Sequence, residues 1–151
     1  MIQRIQSVYL LLATIALVVC CCLPLATFTT EGMGLPSVLR NLFLLDAQGH
    51  ILSWIPVVLL ALITLAVAVT VFAIFGYKNR KSQMTTCLMA MGFEVLWMVA
   101  YTVICKFECP GTEWHPAIGG ALPIVALILT WLARRAIWAD EKLVRSADRI
   151  R

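Results

Sequence analysis

The chain has 151 residues, of which 62% are hydrophobic and only 13% are charged, and its mean hydropathy is +0.92. A soluble domain is usually about 45 to 50% apolar and about 25% charged. Because so few charges remain to solvate a surface, this composition excludes a disordered chain, a collagen-like chain and an ordinary soluble globular protein. The sequence indicates an integral membrane protein.

Four long apolar stretches account for this composition. A membrane-spanning helix covers about 30 Å of hydrocarbon at about 1.5 Å per residue, and therefore needs roughly 20 mostly apolar residues. The stretches that meet this requirement are residues 8–28, 55–75, 84–105 and 114–133. Hydrocarbon offers the backbone no hydrogen-bond partner, so each stretch should be helical. We therefore predict an all-α fold in which residues 1–151 form a single membrane domain, a four-helix bundle.

The basic residues predict how the bundle is oriented. Of the twelve Lys and Arg residues, ten lie before the first stretch, between the second and third, or after the fourth. The other two are Arg40 and Lys106. Cytoplasmic segments of membrane proteins carry the excess of Lys and Arg, so we expect both termini to be cytoplasmic. The formal net charge of +4 then follows from topology and gives no reason to expect a nucleic acid partner.

The tail after the fourth stretch reads RRAIWADEKLVRSADRIR, with apolar residues at helical spacing and charges between them. This pattern predicts a cytoplasmic amphipathic helix, which either continues the fourth span or turns along the membrane interface. Its basic side chains form a predicted docking surface for anionic lipid headgroups or for a protein partner. They are Arg134, Arg135, Lys142, Arg145, Arg149 and Arg151.

The connection of residues 29–54 is the longest one and should lie outside the membrane. Two short apolar runs flank Asp46 and Gly49 within residues 41–53, a pattern that predicts a hairpin. A short interfacial helix over residues 37–45, capped by its first residue, Ser37, is the alternative. The sequence does not separate the two.

The ends of the chain resemble a known family. The start MIQRIQSVYLLLA, the segment LPLATF and the tail ADEKLVRSADRIR together resemble a bacterial domain-of-unknown-function family of small four-span inner-membrane proteins. The resemblance runs from Met1 to Arg151, and its most specific parts are MIQRIQ and DEKLVRSADRIR. It implies a multi-pass protein of the bacterial inner membrane. It implies no activity, cofactor or catalytic residue, because the family has none assigned.

Glu94 is the only charged residue within the four stretches. It lies about 15 Å from the start of the third stretch, near the middle of the bilayer, where a carboxylate costs about 2.5 to 3.5 kcal/mol. It should therefore be neutral, paired or exposed to water. Thr64 lies at matching depth in the second stretch. We predict a protonated Glu94 hydrogen-bonded to Thr64 or to a backbone carbonyl, with a proton relay, an ion site or a partner's cation as alternatives.

Six cysteines raise the question of thiol chemistry. Cys105 and Cys109 lie at the predicted outer end of the third span, and Cys22 lies below the outer end of the first. Their positions suggest a disulfide, or a redox site like that of four-helix membrane thiol oxidoreductases that reduce a quinone. However, the chain has no C-x-x-C motif and the outer loop has no cysteine. We therefore favour cysteine as apolar filler or in one structural disulfide.

Small residues near the start of the fourth stretch predict close helix packing. Ala117 and Ala121 are four residues apart, and Gly120 lies beside them. Small side chains at this spacing let membrane helices approach each other closely.

No arrangement of reactive side chains rises above background, so we predict no catalytic residue, metal or cofactor. We interpret the chain as a non-enzymatic accessory protein or subunit of a membrane assembly, which binds a membrane-protein partner or a second copy of itself. One alternative is a thiol-redox or quinone-linked enzyme that uses the outer cysteines. Another is a small proton-coupled channel or carrier centred on Glu94.

Overall fold

A computed structural model of the chain describes residues 2–29, 36–46, 48–76, 79–108 and 113–148. Four helices dominate the described part of the chain, and all four are long and apolar enough to cross a membrane. This confirms the prediction of a multi-pass membrane protein. The helices are α1 (Ile2–Cys22), α2 (Val57–Phe75), α3 (Arg80–Phe107) and α4 (Ile118–Asp148).

A five-stranded antiparallel sheet accompanies the helices, so the prediction of an all-α fold is corrected to a mostly helical one. The spatial order of the strands is β4-β3-β2-β1-β5. Because β1 directly follows α1 and β5 directly precedes α4, the sheet lies at the end of the bundle where α1 ends and α4 begins. The strands are β1 (Ala26–Thr29), β2 (Ser37–Leu39), β3 (Leu44–Leu45), β4 (Ile51–Ser53) and β5 (Glu113–Pro116).

Prolines explain why two predicted spans were too long at the sheet end. Proline lacks an N–H group and disfavours helical geometry in the residue before it. Pro24 follows shortly after the end of α1, so residues 26–29 form a strand instead of continuing the helix to residue 28. Pro116 closes β5, and α4 begins at Ile118 rather than at residue 114.

The connection between α1 and α2 contains the predicted hairpin, and the alternative helix over residues 37–45 is wrong. Strands β3 and β4 pair around a turn in which the Asp46 N–H donates to the carbonyl of His50 at 2.8 Å. Gly49 occupies this turn with φ of 82°, a left-handed conformation that glycine adopts without steric cost.

The four helices pack in a ring, in which α1 and α3 each contact both α2 and α4. The core contains the fully buried side chains of Leu17, Ile63 and Trp97. The outward faces are apolar as well, as Leu96 and Val99 on α3 illustrate. Continuous exposed apolar surface of this kind is stable against lipid and not against water, in agreement with a membrane location.

The bundle end opposite the sheet is held by polar contacts. The Gln83 side-chain amide donates to the carbonyl of Ala73 at 2.9 Å and so binds α3 to the last turn of α2. Arg80 and Asp140 form an ion pair of 3.2 Å between the start of α3 and the distal part of α4. Because α4 continues without interruption to Asp148, the tail extends the fourth span, which resolves the two alternatives for it.

Candidate functional site

The buried polar groups fall into two regions of the bundle. We call the half next to the sheet the sheet-side half, and the half where α1 begins and α4 ends the tail-side half. Glu94 lies near the middle of α3, between the two. Polar groups inside a membrane are costly, so each one is a candidate for function unless its structural role is evident.

Glu94 is buried, with 1% of its surface exposed. Its Oε1 atom lies 3.1 Å from the hydroxyl of Thr130 on α4, which lies 2.9 Å from the carbonyl of Ala126 as well. Its Oε2 atom is buried and has no hydrogen-bond partner among the described residues. Among the described residues, therefore, only one of the two carboxyl oxygens is hydrogen-bonded.

The predicted pairing of Glu94 with Thr64 is wrong. Thr64 is exposed on α2, and its hydroxyl donates to carbonyls of its own helix, those of Leu60 and Ala61, at 2.8 and 2.9 Å. Depth along a helix can be read from the sequence, whereas the rotation of one helix relative to another cannot. The fourth span was predicted to end at residue 133, which placed Thr130 too close to the membrane surface to be considered.

Two more buried polar atoms of the tail-side half lack partners among the residues that the structure describes. They are Nε2 of Gln6 on α1 and Nε of Arg134 on α4. Arg134 follows Thr130 by four residues, so it lies one helical turn further toward the tail on the same side of α4. These atoms of Gln6, Glu94 and Arg134 thus run from the middle of the bundle to its tail end.

In the sheet-side half, a buried asparagine replaces a backbone donor that a proline removes. In a continuous helix, the carbonyl of Cys20 would accept from the N–H of residue 24, but Pro24 has none. The side chain of Asn41, 1% exposed, donates to this carbonyl at 2.8 Å. Its Oδ1 in turn accepts a hydrogen bond of 3.2 Å from the indole of Trp97.

A side chain also replaces a missing backbone donor at the start of α4. The carbonyl of Gly119 lies four residues before Pro123, which again has no N–H to donate. The thiol of Cys20 donates to this carbonyl at 3.1 Å. Cys20 and Asn41 therefore bond the two carbonyls that Pro123, within α4, and Pro24, just after α1, leave without a backbone donor. Sequence reasoning missed this role although both prolines were visible.

An aromatic cluster closes the bundle beneath the sheet. Tyr101 stacks on Trp97, with ring centroids 5.3 Å apart, and meets the edge of Trp114 at 6.3 Å. Its hydroxyl donates to the carbonyl of Leu25 at 3.0 Å. Trp97 and Tyr101 are both buried, as Glu94 is, so all three lie on the inward face of α3.

The predicted cysteine site is only partly described. Cys22 is exposed at the end of α1, Cys105 is buried, and Cys109 lies outside the described residues. Cys105 shares its core cluster with Cys20 rather than with Cys22. No disulfide joins any of the five cysteines that the structure describes.

Close packing of α4 involves its glycines and not the predicted alanine pair. Ala117 precedes the helix, and Ala121 is exposed. A Cβ atom added to Gly119 would lie 2.4 Å from the carbonyl oxygen of Pro24, and one added to Gly120 would lie 2.9 Å from that of Leu25. The chain after α1 therefore passes directly against the first turn of α4.

The predicted docking surface on the tail is described in part. Arg134 and Arg135 lie within α4 and line one cavity, and Lys142 lines a neighbouring one. The side chain of Arg145, and residues Arg149 and Arg151, lie outside the described part of the chain. Within the described residues, no group of three or more His, Cys, Asp or Glu side chains is arranged to hold a metal ion.

Comparison with known proteins identifies a family but no activity. The model of a family described as a domain of unknown function (DUF4293) matches residues 2–150. The chain therefore belongs to this family, which confirms the resemblance drawn from its two ends. A search of curated proteins found no match to the chain.

Proposed function

We propose that this DUF4293 chain is a non-enzymatic accessory subunit of a bacterial inner-membrane assembly. Both termini lie in the cytoplasm, and the five-stranded sheet lies on the outer side. The distribution of basic residues supports this orientation, because ten of the twelve flank the predicted cytoplasmic ends of the spans. The basic tail then lies at the anionic cytoplasmic surface of the membrane.

The observation that carries the proposal is an exposed apolar edge of the sheet. Strand β4 lies at one edge of the sheet, and its residues Ile51 and Leu52 are 44% and 58% exposed. Trp54 and Ile55, which follow directly, are also exposed. An edge strand presents unpaired backbone groups, and proteins usually protect it with charges, prolines or a covering element.

An edge of this composition is suited to pairing with a strand of another protein. Strand addition supplies backbone hydrogen bonds, and alternate side chains of the edge provide specificity. At the opposite edge of the sheet, β5 is likewise exposed along its whole length, from Glu113 to Pro116. The sheet therefore offers two surfaces for assembly, of which β4 is the more apolar.

The experiment is site-specific photocrosslinking in cells at native expression level. A photoreactive residue at Leu52 should capture one recurrent partner, which mass spectrometry of the tagged and solubilised protein would identify. The control carries the photoreactive residue at Leu96, which is 50% exposed on the outward face of α3 and should meet lipid. Crosslinks only between copies of this chain, or equal capture from both positions, would contradict the proposal.

The thiol-redox alternative has weaker support. Of the predicted redox cysteines that the structure describes, Cys22 is exposed and Cys105 is buried, whereas thiol exchange requires an accessible attacking pair. Alkylation of thiols in intact cells, with and without oxidant, tests this alternative. Cysteines that cycle between oxidised and reduced forms with oxidant supply would favour it over the accessory role.

A proton-coupled function is the second candidate, and it is favoured by the Glu94 Oε2 atom, which lacks a partner among the described residues. A carboxyl group near the middle of a span that is bonded on one side only resembles the groups that relay protons in membrane proteins. Proteoliposomes with an internal pH dye test this function. Protons should enter vesicles that hold the unaltered protein under an imposed potential, and this entry should be lost with Glu94→Gln. Equal rates for both proteins and for empty vesicles would exclude it.

A further inference from the structure

A groove of cationic and aromatic character runs along the tail-side half, between the start of α3 and the distal part of α4. It consists of two cavities of about 280 and 300 Å³, and Met84 and Trp138 line both of them. The first is completed by Trp131, Arg134 and Arg135. The second is completed by Glu141 and Lys142.

The cations of this groove are arranged in pairs with its tryptophans. The guanidinium of Arg135 lies 5.7 Å from the ring of Trp131, and the ammonium of Lys142 lies 5.8 Å from the ring of Trp138. The two residues of each pair are four positions apart, and the second pair follows the first by seven positions, so both pairs lie along one side of α4. Pairing with a ring positions a cation without neutralising its charge.

The groove carries an excess of positive charge. Arg134, Arg135 and Lys142 line it, and Glu141 is the one acidic residue among the described side chains that line it. The neighbouring Asp140 pairs with Arg80. The buried Nε of Arg134 has no acceptor among the residues that are described. A buried guanidinium N–H that lacks an acceptor is a costly arrangement unless a ligand supplies one.

The position of the groove along α4 indicates its level in the membrane. Arg134 lies sixteen residues after Ile118, the first residue of α4, or about 24 Å along the helix axis. This distance approaches the boundary of a hydrocarbon layer of about 30 Å. Tryptophan is enriched at that boundary, and Trp131 and Trp138 lie on either side of Arg134. The groove therefore opens at the level of the lipid headgroups.

We infer that this groove is a binding site for one anionic phospholipid. The phosphate accepts hydrogen bonds from Arg134 and Arg135, since a guanidinium matches the geometry of phosphate oxygens. An acyl chain follows the apolar wall formed by Met84 and Trp131. Basic pockets between membrane helices bind anionic headgroups in this way. The site is separate from the sheet edge and does not depend on the accessory role.

Native mass spectrometry of the full-length protein in neutral detergent tests the inference. We expect phosphatidylglycerol to bind more tightly than phosphatidylcholine with the same acyl chains. The variant Arg134→Gln should lower the affinity for phosphatidylglycerol about fivefold, the value of one basic residue at an anionic surface. Binding of phosphatidylcholine should not change.

Two further variants separate a specific site from general charge. Arg135→Gln should weaken phosphatidylglycerol binding similarly, and it remains informative if Arg134→Gln fails to fold, because Arg135 is the more exposed residue. The control is Lys81→Gln, which removes the same charge from an exposed position near the start of α3 that does not line the groove.

Three results would overturn the inference. The first is equal binding of the two lipids. The second is an equal loss of phosphatidylglycerol binding in Lys81→Gln, which would indicate general attraction to positive charge. The third is full competition by inorganic phosphate at equal concentration, which would indicate a site for a free anion instead of a lipid.

Discussion

The two halves of the bundle differ in how completely their buried polar groups are hydrogen-bonded. In the sheet-side half, prolines remove the donors for the carbonyls of Cys20 and Gly119, and the side chains of Asn41 and Cys20 supply replacements. From the middle of the bundle to its tail end, atoms of Gln6, Glu94 and Arg134 remain without partners among the described residues. Unsatisfied groups in a membrane interior cost several kcal/mol each by rough estimate.

This difference separates the polar residues whose structural role is evident from those for which it is not. The sheet-side groups form a closed set of hydrogen bonds, so their role is to fix the junction between the sheet and the helices. Of the groups without partners, Arg134 lines a cavity and Glu94 keeps one carboxyl oxygen unbonded among the described residues.

The largest expected effect is at Gly119, where the sheet-side junction is tightest. In Gly119→Ala the new Cβ would lie 2.4 Å from a backbone oxygen of Pro24, so the two chain segments must separate. We expect a loss of about 3 kcal/mol or more in the free energy of unfolding. Thermal unfolding of the purified protein in detergent measures it.

The matched control for this variant is Gly92→Ala. Gly92 lies within α3, and a Cβ added there meets no atom within 4 Å. Because alanine is the better helix former, this change should stabilise the protein by up to about 1 kcal/mol. If both variants unfold at the same temperature, the close approach of Gly119 to Pro24 is not a constraint on the fold.

The next largest effect is expected from Asn41→Ala. The change deprives the Cys20 carbonyl and the Trp97 indole of their partners, and we expect a loss of about 2 kcal/mol. The control is Asn79→Ala, which removes an exposed N-cap that accepts from the N–H of Ser82 and should cost about 1 kcal/mol. Equal losses of stability in the two variants would show that the buried hydrogen bonds of Asn41 contribute no more than an exposed N-cap does.

The role of Cys20 is tested by two substitutions of different chemistry. Cys20→Ser retains a donor for the carbonyl of Gly119, whereas Cys20→Ala removes it. We expect the alanine variant to be less stable than the serine variant by about 1 kcal/mol, as measured by unfolding under reducing conditions. The opposite order would mean that the thiol acts here as apolar filler, as the sequence suggested.

The number of spans could be predicted from the sequence, because length and hydropathy decide whether a helix crosses a membrane. The sheet was mostly missed, since its strands are two to four residues long and two of them overlap stretches apolar enough to be taken for helix. Pro24 and Pro116 were the available signals, and both mark the observed boundaries.

The candidate site was predicted less well than the fold. Glu94 was recognised because a charge in a span is conspicuous, and it lies near the middle of α3. Its partner was wrong because the contacts of a helix depend on its rotation, which a single sequence does not determine. Asn41 was missed for another reason: a polar residue in a loop gives no sign that the chain folds back into the bundle.

The smallest expected effect is the difference in stability between variants of Thr130 and Thr64, two threonines in different spans. Thr130→Val removes the described partner of the Glu94 Oε1 atom and leaves both carboxyl oxygens without a bond, so we expect a loss of about 1 kcal/mol. Thr64→Val should change stability by less than about 0.5 kcal/mol, because the hydroxyl bonds only to its own helix at an exposed position. Unfolding temperatures of the two variants in the same detergent measure the difference. Equal destabilisation, or a larger loss for Thr64→Val, would contradict the pairing of Glu94 with Thr130. It would mean that α2 and not α4 supplies the partner of Glu94, and that these helices are rotated about their axes relative to this structure.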